Sequence, residues 1–561
     1  MKLSKNDRNQ GGRIIGLLGA GLLVLSTNAA TFERTIPAPN GIGNVVALTN
    51  ALAEYNALGD YKIAAKIWLQ PGTYDLSGVY MTSASHLYLK SSQGGMLAGL
   101  GAKRDDTVLL GGGEAEAHRV LQISGSNWDW MTVSNLTVTG GWSANNIGGG
   151  ILGNGTTRYR NLIVSNNYAR GSNACGGGGC CYGRAEYCLI ADNRTGVGTE
   201  NNWGGGMYTN GGGGQSANLI QGAFHCVFSN NWASANGGGL HLVGKCEDCV
   251  FVGNSANYGG GISLYSRKFT WFQSSNPSFT NTTEIKNCVF RGNDLSAWGH
   301  GVAIYNIASR GYPVSNCVFE ANISAQGGDA IVRGANMYDC IVTNNSRVTS
   351  LLCDCDLERC LVSGNTVSGN AGLIDKEETA GTHTNVNCVF ANNVMESYGR
   401  ISNSKVFVNC TIVGNDSQNG GNYGFICAPA CNLSNCILSG NKIGGSWLDI
   451  RAIYNPGNTT TSALHMVNCV FVKSQNGVDE NWEGLVNCKK VANVRFVDAA
   501  NGDYTPKTSS AAYDYGLADD WILGLVGEKD IVGNRRVFGN RLDAGAYESQ
   551  CWPPGCLLIV K

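Results

Sequence analysis

The sequence is poor in charged residues and in long apolar runs. Asp, Glu, Lys and Arg together make up 14% of the 561 residues, and the formal net charge is −1. Such a chain lacks the positive field that attracts nucleic acid or an anionic membrane surface, so we expect neither as a partner. Its apolar run Ile14–Leu25 is shorter than the roughly 20 residues that a membrane-spanning helix needs. We therefore expect no stable membrane span.

The middle of the chain repeats a short phrase: Cys, two mostly apolar residues, two variable residues, then Asn. Residues two apart on a strand share one face, so the Cys and the apolar residue two positions later should point into a common interior. Asn tolerates the left-handed backbone conformation, so we predict that it forms the corner after each strand, with its amide stacked on its neighbours. The cysteines are Cys188, Cys226, Cys249, Cys288, Cys317, Cys340, Cys360, Cys388, Cys410, Cys436, Cys469 and Cys488. Asn stands five residues after each of them except Cys469, where Ser474 takes its place.

A second phrase, rich in glycine, follows most copies of the first. The chain has 79 Gly, and they often form pairs or triplets before an apolar residue, as in Gly237–Leu240 and Gly259–Ile262. Gly allows a tight turn and close backbone approach, so this phrase predicts a turn into a second strand. Two strands and a corner in fixed register, with loops of variable length between, indicate a solenoid. The predicted fold class is all-β: a single right-handed parallel β-helix.

Three stretches resemble known families. Phe251–Asn254 and Phe290–Asn293, together with the glycine phrases, resemble the repeats of polymorphic outer-membrane proteins. Ile67–Tyr74 resembles the entry strand of pectin-lyase-like β-helix proteins. Ser510–Gly516 and Asp543–Glu548 resemble the C-terminal module called choice-of-anchor Q, although Ala511 stands where that module usually has Pro. These resemblances imply the β-helix fold and a C-terminal capping module.

The start of the chain has the pattern of a secretory signal. Basic residues precede Ile14–Leu25, and small residues follow up to Ala30. We therefore expect a secreted or cell-surface protein. The stretch Asn44–Leu58 carries Val45, Leu48, Leu52 and Tyr55 at helical spacing and predicts a helix that caps the solenoid. The predicted divisions are residues 1–30 signal peptide, 31–66 N-terminal cap, 67–496 β-helix and 497–561 C-terminal module.

The 22 cysteines would ordinarily suggest disulfides in an exported chain. However, neighbouring rungs of a parallel ladder lie about 4.8 Å apart, whereas disulfide-bonded Cβ atoms lie about 3.8 Å apart. We therefore predict mostly buried thiols on the ladder, and we consider the other cysteines the better disulfide candidates. Those candidates are Cys175 with Cys180 or Cys181, Cys427 with Cys431, and Cys551 with Cys556.

We expect no metal centre and no cofactor. Cys353 with Cys355, and Cys246 with Cys249, lack a second pair or a His at zinc spacing. Calcium is conceivable but is not indicated by any motif.

Aromatic residues precede several glycine phrases and should form a column along the solenoid. They are Trp203, Tyr258, Trp298, Tyr398 and Tyr423. Facing outward, such rings could stack on sugars; facing inward, they would be packing. Our first functional hypothesis is an exported, adhesin-like surface or matrix protein, monomeric and non-catalytic, that contacts glycans along one face.

The alternative hypothesis is a polysaccharide lyase or glycoside hydrolase acting on acidic polysaccharide. Hydrolysis needs two carboxylates about 5 to 9.5 Å apart, and no Asp or Glu recurs at one strand position in successive repeats. Gly299-His300-Gly301 resembles a phrase of polygalacturonases, but the companion motifs are missing. A lyase would need basic groups near the uronate. The catalytic candidates are therefore Arg267, Lys268, His300 and Arg310.

Overall fold

The computed structural model describes most of the chain between Thr31 and Cys551. The described residues are 31–39, 42–58, 63–90, 94–124, 129–144, 147–170, 178–196, 202–209, 221–264, 283–306, 311–325, 327–369, 372–375, 383–396, 400–402, 406–419, 431–449, 465–474, 484–538 and 541–551. Some predicted features fall outside them: the signal peptide, the candidates Arg267, Lys268, Arg310, Tyr398 and Tyr423, and one partner of each proposed disulfide (Cys175, Cys427 and Cys556).

The described chain is a single parallel β-helix. One coil shows the path: Lys245–Glu247, Val250–Val252, Ser255–Tyr258 and Ile262–Leu264 follow one another, and each pairs in parallel with its counterpart in the next coil. Strands of the same position therefore form sheets that run along the solenoid axis. We call them sheet A, sheet B, the corner sheet and sheet C, in the order in which the chain meets them.

Sheets A and B are the longest. Sheet A contains Thr31–Ile36, Ala64–Leu69, Gly95–Gly99, Met131–Ser134, Thr157–Arg160, Arg184–Glu186, Gly222–Phe224, Lys245–Glu247, Glu284–Lys286, Tyr312–Ser315, Ala335–Tyr338, Asp356–Glu358, Thr384–Val386, Val406–Val408, Asn432–Ser434, His465–Val467 and Leu485–Val486. Sheet B contains Gly72–Asp75, Thr107–Leu110, Thr137–Thr139, Ile163–Ser165, Leu189–Ala191, Val227–Ser229, Val250–Val252, Val289–Arg291, Val318–Glu320, Ile341–Thr343, Leu361–Ser363, Val389–Ala391, Thr411–Val413, Ile437–Ser439, Val470–Phe471 and Lys489–Lys490.

The remaining sheets are shorter. Sheet C contains Ser85–Lys90, Arg119–Ser124, Ile151–Leu152, Cys180–Cys181, Met207–Tyr208, Leu240–Leu242, Ile262–Leu264, Ile304–Asn306, Val332–Arg333, Leu352–Cys353, Gly372–Asp375 and Arg400–Ser402. The corner sheet has one part with Trp142–Ser143, Tyr168–Ala169, Arg194–Thr195, Trp232–Ala233, Ser255–Tyr258 and Asp294–His300, and another with Thr366–Val367, Val394–Met395, Asp416–Ser417, Lys442–Ile443 and Ser446–Trp447. Outside these sheets, Phe496–Asp498 pairs with Asp503–Pro506; the helices are Ile42–Ala57 and Asp520–Val526, and the 3-10 turns are Gly113–Ala115 and Ala499–Asn501.

The interior is filled by columns of identical side chains. Phe228, Phe251, Phe290 and Phe319 stack with ring centroids 4.8 to 4.9 Å apart and ring planes within 2 to 7° of parallel. All twelve ladder cysteines are buried, and no disulfide joins any of them, which agrees with the predicted stack of thiols. Each thiol stays close to backbone: Cys226 Sγ donates to the Phe224 carbonyl at 3.2 Å and accepts the Cys188 amide at 3.5 Å. Burial raises the pKa of the Cys226 thiol, so it stays protonated and apolar in character.

The predicted amide ladder is present, but the predicted backbone conformation was assigned to the wrong residue. Asn254 Nδ2 donates to Asn293 Oδ1 at 3.1 Å and to the Phe228 carbonyl at 2.9 Å, and both Asn side chains are fully buried. The left-handed residue is the one before each ladder Asn from Asn167 to Asn441, for example Asn230, with a φ of 53°. Asn493, which was predicted to continue the column, is exposed and lies outside the ladder. The reason is that the ladder amide must turn inward to reach buried backbone groups, so the preceding residue makes the turn and points outward.

The ladder ends in an acid. Where Ser474 interrupts the Asn column, Asp449 Oδ1 accepts both the backbone and the side-chain N–H of Asn441 at 3.0 Å. Asp449 Oδ2 accepts the Val472 and Lys473 amides at 3.1 and 2.9 Å. This carboxylate follows the antiparallel pair Lys442–Ile443 and Ser446–Trp447. It therefore supplies the acceptors that the missing Asn of the next coil would have supplied.

A helix covers the first coils and a long segment covers the flank of the last ones. The helix Ile42–Ala57 buries Val45, Leu48, Leu52 and Tyr55, the residues that its spacing predicted. After Phe496 the chain packs on the outer faces of sheets A and B. Within the described residues, no helix is long and apolar enough to cross a membrane.

Candidate functional site

An outward column of large side chains runs along the corner sheet. Trp142 pairs in register with Tyr168, Tyr168 with Arg194, Arg194 with Trp232, and Trp232 with Ser255. We call these five residues the corner track. Each of the first four strands has only two residues, and the second one points inward. Those inward residues are small and buried: Ser143, Ala169, Thr195 and Ala233.

Two open cavities lie along the corner track. The larger, of about 620 Å³, is lined by Trp142, Tyr168, Arg194 and Trp232, together with residues that include Glu114 and Arg170. The smaller, of about 370 Å³, shares Arg194 and Trp232 with the first and extends to Ser255. The rings of Trp142 and Tyr168 lie 4.2 Å apart between centroids. The shared lining makes one groove that follows the solenoid axis over five coils.

Polar corner residues flank the groove on one side. Asn166, Asp192 and Asn230 are the left-handed residues that precede three consecutive ladder Asn, with φ of 53, 56 and 53°. All three are exposed and line the cavities. Their side chains point outward because the ladder Asn occupies the inward position. The groove therefore offers aromatic faces along its middle and amide or carboxylate groups along its edge.

The charges of the groove are distributed unevenly. Arg170 Nη1 lies 3.8 Å from Glu114 Oε1, and both side chains are more than half exposed, so this pair contributes little to stability. Arg194 is also exposed, and among the described residues its guanidinium has no ion pair and no hydrogen bond. Asp192 stands two residues before it, at the groove edge. The middle of the groove thus presents a cation that the fold leaves available.

The predicted aromatic column is partly present and lies beside sheet C. Trp203 bridges to Asn236, Asn236 to Tyr258, and Tyr258 pairs with His300. In this register, His300 occupies the position in the column that was predicted for Trp298. The side chain of Trp298 is outside the described residues. Trp203 lies 5.1 Å from the His241 ring, and Tyr258 lies 5.0 Å from Tyr305. Much of this column is packing, since Tyr208, His241 and Tyr305 beneath it are buried.

Titratable groups gather at the end of this aromatic column. His300 Nδ1 and Arg333 Nη1 each lie 2.9 Å from Asp329 Oδ2, and the His300 ring lies 6.0 Å from that of Tyr305. The His300 side chain is 26% exposed, whereas those of Asp329 and Arg333 are more covered. Beside Trp203 in the same column, burial lowers the pKa of His241 to about 3, so this ring is neutral near pH 7. The candidates Arg267, Lys268 and Arg310 lie outside the described residues.

The corner track contains the residues that the sequence analysis missed. A ladder Asn directly precedes Tyr168, Arg194 and Trp232 in the sequence. Trp142 occupies the equivalent position in a coil that has no ladder Asn. A search for outward positions at that offset from the Asn column would have found them. In the described part of the chain, no group of three or more His, Cys, Asp or Glu side chains is arranged to hold a metal ion.

Comparison with known proteins adds little to this geometry. No family model matches the sequence, and no curated protein matches it. Among solved structures, the A-module of the Azotobacter vinelandii mannuronan C-5 epimerase AlgE6 is similar at 15% identity and a TM-score of 0.28, over 65% of this chain and 93% of that chain. A mannuronic acid specific polysaccharide family 6 lyase from human gut microbiota is similar at 12% identity and a TM-score of 0.28, over 68% and 86%. A likeness this low carries no argument about the site.

Proposed function

We propose that the protein binds a glycan along the corner track and acts as an exported, adhesin-like surface or matrix protein. The observation that supports this proposal is the register of Trp142, Tyr168 and Trp232 along an open groove. The Trp142 and Tyr168 rings lie on successive rungs, about 4.8 Å apart, and Trp232 lies two rungs beyond Tyr168. This regular spacing matches the repetitive character of a polysaccharide.

The groove has the two kinds of contact that sugar recognition uses. The partly exposed faces of Trp142, Tyr168 and Trp232 can cover the apolar faces of sugar rings, and aromatic side chains contribute area at small entropic cost. Asn166 and Asn230 offer amide donors and acceptors to hydroxyl groups at the groove edge. The proposed function uses both kinds of contact.

A glycan array with the full-length protein tests this proposal. Trp232→Ala should weaken retention of the best ligand by about tenfold, the effect of losing one aromatic anchor. Trp447→Ala is the matched control, because Trp447 is 55% exposed on a hairpin outside the groove. Equal retention of both variants would mean that glycan does not bind at the corner track, and no retention of any glycan by the parent would leave a purely structural role.

A second candidate function is an enzyme on acidic polysaccharide at the His300 cluster. It is favoured by one observation: His300, at the end of the corner-sheet strand Asp294–His300, and Arg333 of sheet C both contact the Asp329 carboxylate, and the buried Tyr305 ring lies beside His300. Incubation with a polyuronate panel should then give the ultraviolet absorbance of an unsaturated product or new reducing ends. His300→Ala should abolish the signal, and His465→Ala, an exposed histidine elsewhere, should keep it.

We also propose the division predicted from the sequence, with residues 1–30 as a removable export signal, 31–66 as the N-terminal cap, 67–496 as the β-helix and 497–561 as the C-terminal module. Mass analysis of the exported protein tests the first boundary, because cleavage is expected after Ala29 or Ala30.

A further inference from the structure

We infer that the ligand of the corner track is an acidic glycan, with a carboxylate or sulfate group held by Arg194. This inference rests on the proposed function and names the chemical class of its ligand. It depends on where Arg194 lies and on what surrounds it.

The position of Arg194 is central. It lies between Tyr168 and Trp232 in register, and it lines both cavities of the groove. A glycan that covers the rings of Tyr168 and Trp232 must therefore pass over the guanidinium. Arginine presents a planar set of donors that fits carboxylate and sulfate oxygens.

Several other outward arginines of the solenoid have carboxylate partners on an adjacent coil, whereas the exposed Arg160 has none within the described residues. Arg158 Nη2 lies 2.8 Å from Glu186, Arg291 Nη2 lies 2.7 Å from Glu320, and Arg359 Nε lies 2.7 Å from Asp339. The neighbours of Arg194 in its column are instead two aromatic rings, and no ion pair of Arg194 occurs within the described residues. The fold does not use the charge of Arg194, which leaves that charge for a ligand.

The acidic groups near the groove do not cancel this argument. Glu114 is paired with Arg170, and Asp192 lies at the edge with Asn166 and Asn230, away from the line of the rings. The unpaired charge on the line that the glycan follows is thus positive. Asp192 should repel an anion bound at Arg194, so its removal should strengthen binding. A cationic glycan would show the opposite pattern for both residues.

The length of the ligand follows from the same geometry. The track extends from Trp142 to Ser255 over five coils, which at about 4.8 Å per coil makes about 19 Å. A short oligosaccharide reaches only one ring beside Arg194, whereas a longer one reaches Trp142 and Trp232 together. Affinity should therefore rise with chain length and then level off.

The test is calorimetric titration of the full-length protein with oligogalacturonides from the disaccharide to the octasaccharide. Their neutral methyl esters, sulfated dextran oligosaccharides and cationic chitosan oligosaccharides serve as comparison probes. Arg194→Ala should weaken oligogalacturonide or sulfated-dextran binding by about tenfold or more, and Arg194→Lys by less. Asp192→Asn should strengthen it by about two- to fivefold. Arg160→Ala is the matched control, an exposed arginine on sheet A.

The outcomes separate the two proposals. Tighter binding of the acidic probes, with these responses of Arg194 and Asp192, supports the inference. Equal binding of acidic and neutral probes that Trp232→Ala weakens and Arg194→Ala does not would overturn the inference and keep glycan binding. Preference for chitosan oligosaccharides, weakened by Asp192→Asn, would also overturn it. If no probe binds and a wider glycan array is equally empty, both proposals are wrong.

Discussion

At the scale of single residues, the most constrained position is the ladder Asn. Each ladder side chain lies in a buried corner where backbone N–H and C=O groups of two coils would otherwise lack partners. Asn293 Oδ1 accepts the backbone and side-chain N–H groups of Asn254, both at 3.1 Å. Its Nδ2 donates to the Phe251 carbonyl and to Asn322 Oδ1, both at 3.0 Å. A buried group left without its partner costs about 1 to 3 kcal/mol, so these bonds are costly to lose.

Replacement of Asn293 by Ala should therefore lower the free energy of unfolding by about 3 to 5 kcal/mol. The control is Lys286→Ala in the same coil, because Lys286 is 43% exposed and its contact with Glu247 is 4.0 Å long. That control should change stability by no more than about 0.5 kcal/mol. Urea unfolding measures both variants. Equal midpoints would show that the amide ladder is not a stabilising feature.

Asp543 should make the stability depend on pH. Its carboxylate accepts the Asp514 and Ser549 amides, yet burial outweighs these bonds and raises the pKa to about 6. The folded protein therefore holds this proton more firmly than the unfolded chain. The stabilisation is complete below about pH 4 and is lost as the pH rises through about 6.

Asp543→Asn, which cannot ionise, should lack this loss. Relative to the parent, its free energy of unfolding should rise by about 3 kcal/mol between these pH values, at about 1.4 kcal/mol per pKa unit. The amide also disturbs one hydrogen bond, which adds an offset that does not change with pH. Urea midpoints at several pH values give the slope. Parallel curves for the two proteins would contradict the prediction.

At the scale of elements, the sequence analysis succeeded where the repeat keeps a fixed offset. The Cys and the apolar residue two positions later define one strand, and Cys249 and Phe251 indeed share the interior. The corner sheet was missed because a two-residue strand such as Trp232–Ala233 has no periodicity to detect. The groove was missed for a related reason. Its residues come from coils separated by loops of unequal length, so their register is fixed only when the coils stack.

Replacing a glycine of a glycine phrase by Ala should destabilise the protein much more than replacing a glycine of a corner. A Cβ on Gly260 would lie 2.3 Å from the Asp294 carbonyl oxygen and 2.7 Å from that of Val302. Gly292 has a φ of +60° but nothing within 4 Å of its Cβ position. Gly260→Ala should thus force coils apart, whereas Gly292→Ala should cost only the strain of a left-handed residue, about 1 to 2 kcal/mol. Urea unfolding should show a larger loss of unfolding free energy for Gly260→Ala than for Gly292→Ala. A larger loss for Gly292→Ala would contradict the close coil spacing at Gly260.

At the scale of the whole molecule, the C-terminal segment changes what the solenoid exposes. In earlier coils the outward residues Val227 and Ile341 of sheet B are 38 and 40% exposed, whereas Ile437 and Val470 on the same face are fully buried. The segment covers them with Ala512 and Ala544. Hydrogen bonds fasten it: Asn387 Nδ2 donates to the Val526 carbonyl at 2.7 Å, and the Gly545 amide donates to the Asn435 carbonyl at 2.7 Å.

Removal of residues 495–561 should therefore destabilise only one end of the protein. In a solenoid each coil contacts chiefly its neighbours, so exposed apolar faces on the last coils need not weaken the distant first coils. Hydrogen exchange should become faster in the strands from Thr384–Val386 onward and stay slow in those before Ile341–Thr343. Glycan retention at the corner track should persist, because Trp142 to Ser255 lie in the first half of the solenoid. Loss of protection throughout the chain would instead mean that the segment holds the whole β-helix together as one cooperative unit.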